Sequence, residues 1–216
     1  GVYYGSSSNT MTISESARIS GNTATGNGGG ICFESKGTLT MNGGSITGNT
    51  TNGTGGGVYF KGGAFNISGN LDISGSKKAG ADNNIYLPTG KIITVAGALN
   101  GSDKIGVTTE NTPNDSNYVR IALGNKDYAK PEKFQYENDS TIAVSAVVSG
   151  RTTKLVACRH NWSGAWKTDD TQHWKECSIC KGKNDVSGHN YDEMFVADGY
   201  KKSDANCKSP AVYYKS

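Results

Sequence analysis

The stretch Gly28-Gly29-Gly30-Ile31-Cys32-Phe33 decides the fold, because similar stretches return at a fixed interval. Gly55-Gly56-Gly57-Val58-Tyr59-Phe60 follows 27 residues later (58 − 31), and Asn83-Asn84-Ile85-Tyr86-Leu87 follows another 27 residues later (85 − 58). Gly1-Val2-Tyr3-Tyr4 has the pattern of an earlier copy. A fixed period of this size is typical of repeat architectures.

Each repeat contains three short apolar or β-branched segments separated by corners rich in Gly and Asn, a pattern that indicates strands. The first series is Val2-Tyr3-Tyr4, Ile31-Cys32-Phe33, Val58-Tyr59-Phe60 and Ile85-Tyr86-Leu87. The second is Met11-Thr12-Ile13, Leu39-Thr40-Met41, Phe65-Asn66-Ile67 and Ile93-Thr94-Val95. The third is Arg18-Ile19-Ser20, Ser45-Ile46-Thr47, Asp72-Ile73-Ser74 and Lys104-Ile105-Gly106. Stacked coils would pair each strand in parallel with its copy one coil away. The sequence therefore predicts an all-β fold, a right-handed single-stranded parallel β-helix with three strands per coil of about 27 residues, followed by a small C-terminal Cys/His module.

Alternation along each strand assigns its two faces. The residues predicted to point inward are Ile31, Phe33, Val58, Phe60, Ile85 and Leu87 on the first wall, Leu39, Met41, Phe65 and Ile67 on the second, and Ile19, Ile46 and Ile73 on the third. Tyr3, Tyr59 and Tyr86 then share an outward row with Cys32. Flat aromatic faces suit sugar rings, so these tyrosines are candidate glycan-binding residues; the alternative is that other segments cover them.

The corner residues Asn22, Asn49 and Ser76 also recur with the period, and we expect them to hydrogen-bond from coil to coil. From Gly106 to Ala157 the period fades, although Val119–Leu123, Thr141–Val148 and Lys154–Val156 still have strand patterns. Terminal repeats of solenoids are atypical because they cover the end of the core. We therefore assign residues 1–157 to the β-helix with irregular last coils and a cap.

The composition changes at Cys158: all three histidines, all three tryptophans and four of the five cysteines lie between Cys158 and the last residue. Cys177 and Cys180 form a Cys-x-x-Cys pair, which can present two thiolates to one zinc ion, with His160 and His189 as the predicted third and fourth ligands. Cys158 and His173 are alternative ligands. Disulfides are the competing interpretation, for example Cys158 with Cys207 and Cys177 with Cys180. Residues 158–216 are assigned to this module, whose second repeat starts at His189 and is incomplete in the sequence.

Two resemblances follow from these motifs. The units Gly28–Phe33, Thr38–Met41 and Gly43–Thr50 resemble the parallel β-helix repeats of large secreted or cell-surface proteins of Gram-positive gut bacteria, over roughly residues 1–110. The His-x-aromatic and Cys-x-x-Cys pattern from residue 158 resembles small zinc-ribbon-like tandem modules of such proteins. The resemblance implies a structural metal and a secreted or cell-surface location. The solenoid fold by itself does not specify a function.

Several function classes are disfavoured by the residues. A net charge of +3 is too small to indicate nucleic-acid binding, and no apolar run of about 18 residues is present to insert into a membrane. A Ser/His/Asp site in the solenoid is excluded because His160 is the first histidine. Glu15, Glu34, Asp72 and Asp82 fall at different corners.

We therefore expect a non-enzymatic extracellular or cell-surface module, adhesive or spacer-like, whose partners are polysaccharides or host or cell-surface glycoproteins. The alternative is a carbohydrate-binding or polysaccharide-degrading, pectate-lyase-like β-helix fragment that lacks its catalytic coils. A cleft of convergent acids would favour the enzyme, and an uncovered row of tyrosines would favour carbohydrate binding.

Overall fold

A computed structural model describes residues 1–5, 8–162, 164–169 and 171–188, together with the backbone of two short strands at 201–203 and 212–213. The chain divides into two compact units, Gly1–Arg159 and His160–Ser216. The domain boundary predicted between residues 157 and 158 lies close to this division, but separate folding of the two parts stays a prediction. Among the described residues, no helix is long and apolar enough to cross a membrane.

The first unit is a parallel β-solenoid of about five coils. In chain order, its strands are β1 (Val2–Tyr4), β2 (Thr10–Ile13), β3 (Arg18–Ser20), β4 (Thr23–Ala24), β5 (Ile31–Phe33), β6 (Thr38–Met41), β7 (Gly44–Thr47), β8 (Thr50–Thr51), β9 (Val58–Phe60), β10 (Ala64–Gly69), β11 (Leu71–Ser74), β12 (Lys77–Lys78), β13 (Ala81–Asp82), β14 (Ile85–Leu87), β15 (Ile93–Leu99), β16 (Ile105–Thr109), β17 (Val119–Asn125), β18 (Phe134–Tyr136), β19 (Ala143–Ser149) and β20 (Thr152–Cys158). A short 3-10 helix, Pro131–Lys133, precedes β18.

The solenoid has three main sheets, of which the first two run its length and the third spans three coils. The first has the order β1-β5-β9-β14-β16-β18, and all of its neighbouring strands are parallel. The second follows β2-β6-β10-β15-β17 in parallel and is closed by the antiparallel hairpin of β20 and β19. The third contains β3, β7 and β11. The predicted all-β parallel solenoid with coils of about 27 residues is confirmed.

The predicted inward residues form one continuous core. Fully or almost fully buried are Ile31, Phe33, Leu39, Met41, Ile46, Val58, Phe60, Phe65, Ile67, Ile73, Ile85 and Leu87. Ile19, in the first coil, is only partly buried. Along the first sheet the ring of Phe33 stacks on Tyr4 on one side, with centroids 5.3 Å apart, and on Phe60 on the other, at 5.7 Å. The period of the sequence therefore reappears as stacks of like side chains inside the coils.

The glycine triplets form the corners that precede the first sheet. Gly28 and Gly55 both have φ of +73°, a conformation that L residues with a side chain rarely adopt. A Cβ at Gly29 would collide with the carbonyl oxygens of Thr50 and Gly56, because the backbone of the next coil passes directly against it. Glycine is therefore required at these corners, because it allows the backbones of neighbouring coils to approach closely.

A second periodic feature, the polar ladder, is formed by Asn22, Asn49, Ser76, Asn84 and Glu137. The backbone N–H and the Nδ2 of Asn22 both donate to Oδ1 of Asn49, at 3.0 and 2.9 Å. The N–H of Asn49 donates to Ser76 Oγ at 3.2 Å, and the N–H of Ser76 donates to Asn84 Oδ1 at 2.9 Å. Asn84 then donates its N–H to Oε2 of Glu137 at 2.8 Å and its Nδ2 to Oε1 of the same carboxylate. The coil-to-coil hydrogen bonding predicted for Asn22, Asn49 and Ser76 is present.

Two features of the solenoid differ from the sequence-based prediction. Lys104-Ile105-Gly106 was assigned to the third series, but β16 lies in the first sheet and pairs with β14. The partners Ile85 and Val107 are only 22 residues apart (107 − 85), so this coil is shorter than the others. A fourth, narrow sheet of β4, β8, β12 and β13 was also not predicted, since its two-residue strands are largely polar and carry no apolar alternation.

The described part of the second unit is a small antiparallel sheet. Its strands are β21 (Lys167–Thr168), β22 (Gln172–Glu176) and β23 (Lys183–Gly188), with a separate pair, β24 (Lys201–Ser203) and β25 (Val212–Tyr213). Trp174 on β22 is buried, and the Nζ of Lys183 lies 3.4 Å from the centroid of its ring. The proposed second repeat, which begins at His189, lies outside the described residues except for the backbone of β24 and β25.

Candidate functional site

Three cysteines and one histidine form the Cys/His cluster. Cys158 is the last residue of β20, His160 follows two residues later, and Cys177 and Cys180 lie in the turn between β22 and β23. The ligand atoms of these four residues all lie within 4.8 Å of one another. The three cysteines are 0–2% exposed, so the thiols are shielded from solvent. These four residues lie close enough together to hold a metal ion.

The turn that carries Cys177 and Cys180 directs backbone N–H groups at both sulfurs. Ile179 N–H donates to Cys177 Sγ at 3.4 Å, and Gly182 N–H donates to Cys180 Sγ at 3.4 Å. The turn is closed by bonds from Cys177 N–H to Gly182 O (2.9 Å) and from Lys181 N–H to Cys177 O (3.0 Å). Lys181 adopts a φ of +61°, which reverses the chain after the second cysteine. The tight turn therefore places both thiols on the same side of the backbone.

The electrostatics of the Cys/His cluster favour thiolate. Burial of Cys177 opposes its ionisation, but hydrogen bonds from the Cys180 backbone, the His160 side chain and the backbones of Asn161 and Ile179 outweigh burial and lower its pKa to about 6. A thiolate is the form of cysteine that binds a metal. The Cys180 Sγ and His160 Nδ1 atoms are 3.5 Å apart. Zn–S and Zn–N bonds are roughly 2.3 and 2.0 Å long, so tetrahedral zinc ligands lie about 3.5–3.8 Å apart, and the Cys180–His160 distance falls in this range.

Three of the four predicted ligands are therefore brought together, and the fourth lies outside the described residues. His160, Cys177 and Cys180 converge, and the fourth member is Cys158, which the sequence had left as an alternative. The alternative ligand His173 packs instead edge-on against Trp166, with ring centroids 5.2 Å apart, and is not part of the cluster. His189, the remaining predicted ligand, lies outside the described residues. The Cys158-x-His160 spacing is the sequence signal that favours Cys158, because both residues leave the same strand end.

Of the two disulfides considered as the alternative, the Cys177–Cys180 bond is not formed. Cys158, Cys177 and Cys180 are not joined in disulfides, and neither is Cys32. Cys207, the proposed partner of Cys158, lies outside the described residues.

The outer aromatic row, Tyr3, Cys32, Tyr59 and Tyr86, is the second candidate site. These residues are aligned as direct strand neighbours on the first sheet, as the sequence predicts. The rings of Tyr59 and Tyr86 stack with centroids 5.8 Å apart and planes 15° apart. Exposure along the row is uneven: Tyr3 is 70% exposed and Tyr86 is partly exposed, whereas Cys32 and Tyr59 are 9% exposed. The buried ring of Tyr59 therefore packs against the ring of Tyr86 and fixes its position.

Charged side chains border the outer aromatic row. The hydroxyl of Tyr3 donates to Oε2 of Glu34 at 3.3 Å, and the Nζ of Lys61 lies 3.8 Å from the Oε1 of Glu34. The hydrogen bond to the Glu34 carboxylate raises the pKa of Tyr3. Burial raises the pKa of Tyr59 and Tyr86, and the Glu110 carboxylate adds to the rise at Tyr86. The phenols are therefore neutral hydrogen-bonding groups at physiological pH.

The candidate acids of a polysaccharide-cleaving site are dispersed. Asp72 on β11 accepts a hydrogen bond from Ser74, and Asp82 on β13 forms an ion pair with Lys77 at 3.5 Å. Glu34 borders the outer aromatic row. Within the described residues, three or more His, Cys, Asp or Glu side chains converge only at the Cys/His cluster.

Comparison of the chain with models of protein families, with curated proteins and with solved structures finds no match.

Proposed function

We propose that this chain is a non-enzymatic adhesive module of a cell-surface protein, which contacts glycans through the outer aromatic row. The observation that carries the proposal is the stacked pair Tyr59–Tyr86, in register with the exposed Tyr3 on the same face. Tyrosine offers a flat apolar face together with a polar hydroxyl, which matches a sugar ring with its apolar face and hydroxyl rim. Glu34 and Lys61 border this face and supply an acceptor and a donor for further hydroxyl groups.

The repeating solenoid suits this role, because it places equivalent positions at strand spacings of roughly 4.8 Å along a straight face. A polymer can then contact several coils at once, and weak contacts add up along its length. The resemblance of the repeats to those of secreted and cell-surface proteins supports an extracellular location. A passive spacer is the alternative for the same fold.

We further propose that zinc occupies the Cys/His cluster in a structural role. Three thiolates and one imidazole complete a tetrahedron without leaving a position for water or substrate, and zinc sites with four protein ligands are structural. The second unit has a small sheet and a small core, and a metal adds the stability that such a unit lacks.

The adhesive function is tested by binding to a panel of neutral and acidic polysaccharides, with retained protein and newly formed chain ends measured on the same samples. We expect retention without cleavage. Tyr86→Ala and Tyr3→Ala should each weaken binding about three- to tenfold, since aromatic contacts contribute on the order of 1 kcal/mol each. Tyr128→Ala removes a 39% exposed tyrosine outside the row and serves as the matched control.

Other results would exclude the adhesive function. Newly formed chain ends that disappear when outward acids are mutated would identify an enzyme. Retention by none of the polysaccharides would favour the spacer, and equal losses in the Tyr86 and Tyr128 variants would remove the row from any binding site.

A further inference from the structure

A groove lies next to the outer aromatic row, at the corner between the first and second sheets. It has a volume of about 670 Å³ and is lined by residues 87–92, 109–112, 114 and 117–120. These residues belong to the loops that follow β14 and β16 and to the start of β17. The lining is mainly polar and includes the charged residues Lys91, Glu110 and Arg120.

Glu110 is held in a fixed orientation in this groove. Thr89 donates both its N–H and its Oγ1 hydroxyl to Oε2 of Glu110, at 2.8 and 2.7 Å, and Asn111 Nδ2 donates to the same Thr89 hydroxyl at 3.1 Å. The hydrogen bonds from Thr89 lower the pKa of Glu110, so its carboxylate stays ionised. In the described part of the chain its second oxygen, Oε1, has no hydrogen-bond partner. The oxygen is therefore available to accept hydrogen bonds from a ligand.

Arg120 and Tyr118 supply complementary groups. Arg120 is exposed on β17, and no side chain of the described residues forms an ion pair or hydrogen bond with its guanidinium. The ring of Tyr118, two residues earlier, is 42% exposed. Lys91, by contrast, is engaged, since its Nζ donates to the carbonyl of Gly62 at 2.6 Å. The lining of the groove thus combines a planar cation and an aromatic ring with a fixed acceptor.

The groove and the outer aromatic row are continuous. Tyr86 is paired with Thr108 across the sheet, and Glu110 follows two residues later, where its carboxylate is close enough to raise the pKa of Tyr86. Leu87, directly after Tyr86, lines the groove. An oligosaccharide that stacks on Tyr86 can therefore also reach Glu110.

We propose that this groove recognises an acidic sugar, a ring that bears a carboxylate, within the glycan that lies on the outer aromatic row. Arg120 binds the carboxylate through its two-pronged guanidinium, Tyr118 packs against the ring, and Oε1 of Glu110 accepts hydrogen bonds from ring hydroxyls. This inference rests on the proposed function and names the class of glycan. Two sources share this chemistry: polymers of uronic acids, and oligosaccharides that end in sialic acid.

The test uses calorimetric titration of the whole chain with three probes: an oligomer of galacturonic acid, a sialylated trisaccharide and a neutral glucan oligomer. Arg120→Gln should weaken binding of at least one carboxylated probe about tenfold or more, the loss typical of a charge-assisted hydrogen bond, and leave the neutral probe unchanged. Arg120→Lys should bind the carboxylated probe more tightly than Arg120→Gln but less tightly than the wild type, since lysine keeps the positive charge but lacks the two parallel donors of the guanidinium. The probe that responds identifies the source.

Arg151→Gln is the matched control, because Arg151 is exposed at the β19–β20 turn and its loss makes the same change in net charge. The inference is overturned if Arg120→Gln binds every probe like the wild type, or if Arg151→Gln weakens binding by the same factor. Losses in the Tyr86 and Tyr3 variants without a loss in Arg120→Gln would leave the proposed adhesive function standing and reject only the acidic-sugar groove. Absence of binding to all three probes by the wild type would reject both.

Discussion

Glu137 shows, at the scale of single residues, how a charge is used to end a periodic structure. It lies just after β18 and is partly buried, where its carboxylate accepts hydrogen bonds from the N–H and Nδ2 of Asn84. Burial raises the pKa of Glu137 above its ordinary value, although the hydrogen bonds from Asn84 oppose the rise. The last donors of the polar ladder are thus satisfied by an acid rather than by another amide.

The raised pKa predicts a definite pH dependence. Between the ordinary pKa of 4.5 and the raised value in the folded state, the folded chain binds more protons at Glu137 than the unfolded chain does. The contribution of Glu137 to stability therefore falls as the pH rises through this interval and is constant above it. In urea unfolding between pH 4 and 8, the stability of the wild type relative to Glu137→Gln should decrease with rising pH.

Glu132→Gln is the control for this experiment, because Glu132 is exposed on the neighbouring 3-10 helix and its replacement makes the same change in charge. Its stability relative to the wild type should not vary with pH in that way. A parallel pH profile for the wild type and Glu137→Gln would contradict the assignment.

At the scale of elements, the polar ladder and the apolar stacks perform different tasks. The apolar stacks supply the burial that stabilises each coil, whereas the ladder fixes the register of one corner on the next. Asn49 is fully buried and sits at the centre of the ladder, where it accepts from Asn22 and donates its Nδ2 to the carbonyl of Ile19 at 2.9 Å.

Asn49→Ala should therefore destabilise the solenoid by about 1–3 kcal/mol, since it leaves the donors of Asn22 and the carbonyl of Ile19 without partners at partly buried positions. Urea unfolding followed by far-UV circular dichroism measures the loss. Asn52→Ala, at an exposed position in the next corner, should change the stability by less than about 0.5 kcal/mol. Equal effects of the two substitutions would show that the ladder does not contribute.

The elements also show what sequence reasoning can reach. The strands of the first coils and their inward residues were predictable, because apolar alternation and glycine corners recur every 27 residues, whereas β16 was assigned to the wrong sheet and β18 was not predicted. The narrow fourth sheet was not predictable, since the pairing of Thr23–Ala24 with Thr50–Thr51 is made by backbone groups and leaves no apolar pattern. The role of Glu137 was hidden for another reason: its partner Asn84 is 53 residues away, and no periodic signal links the two.

The candidate site was predictable only in part. The Cys177-x-x-Cys180 motif and His160 could be read as metal ligands, but the choice of the fourth ligand depends on where β20 ends, which a sequence pattern does not fix. The alignment of the tyrosines followed from the period, yet their unequal exposure did not, since it depends on neighbouring side chains.

At the scale of the whole molecule, the two units derive their stability differently. The solenoid has a continuous apolar core, whereas the described part of the second unit has a three-stranded sheet and three of the four residues of the Cys/His cluster, the fourth being Cys158 at the end of β20. All three tryptophans, Trp162, Trp166 and Trp174, belong to the second unit. Tryptophan fluorescence therefore reports on the second unit, and far-UV circular dichroism reports mainly on the solenoid.

Removal of bound metal by a chelator should lower the temperature of the fluorescence transition strongly and the circular dichroism transition much less, because three of the four ligands belong to the second unit, which has the smaller core. Cys177→Ser should have the same effect and should reduce the zinc content measured by mass spectrometry. Cys32→Ser, which replaces a buried thiol of the solenoid outside the Cys/His cluster, should leave the zinc content unchanged. A fluorescence transition that is insensitive to both chelator and Cys177→Ser would contradict a structural metal.

The parallel stacking of coils has a mechanical consequence. The hydrogen bonds of all three main sheets run along the solenoid axis, so a force that pulls on one end loads the outermost coil first and peels it from its neighbour. A folded coil occupies roughly 4.8 Å of that axis, whereas its 27 residues extend to about 90 Å once released. Each detached coil would itself become almost twenty times longer while the remaining coils stay folded, so the solenoid can absorb a sudden load in steps.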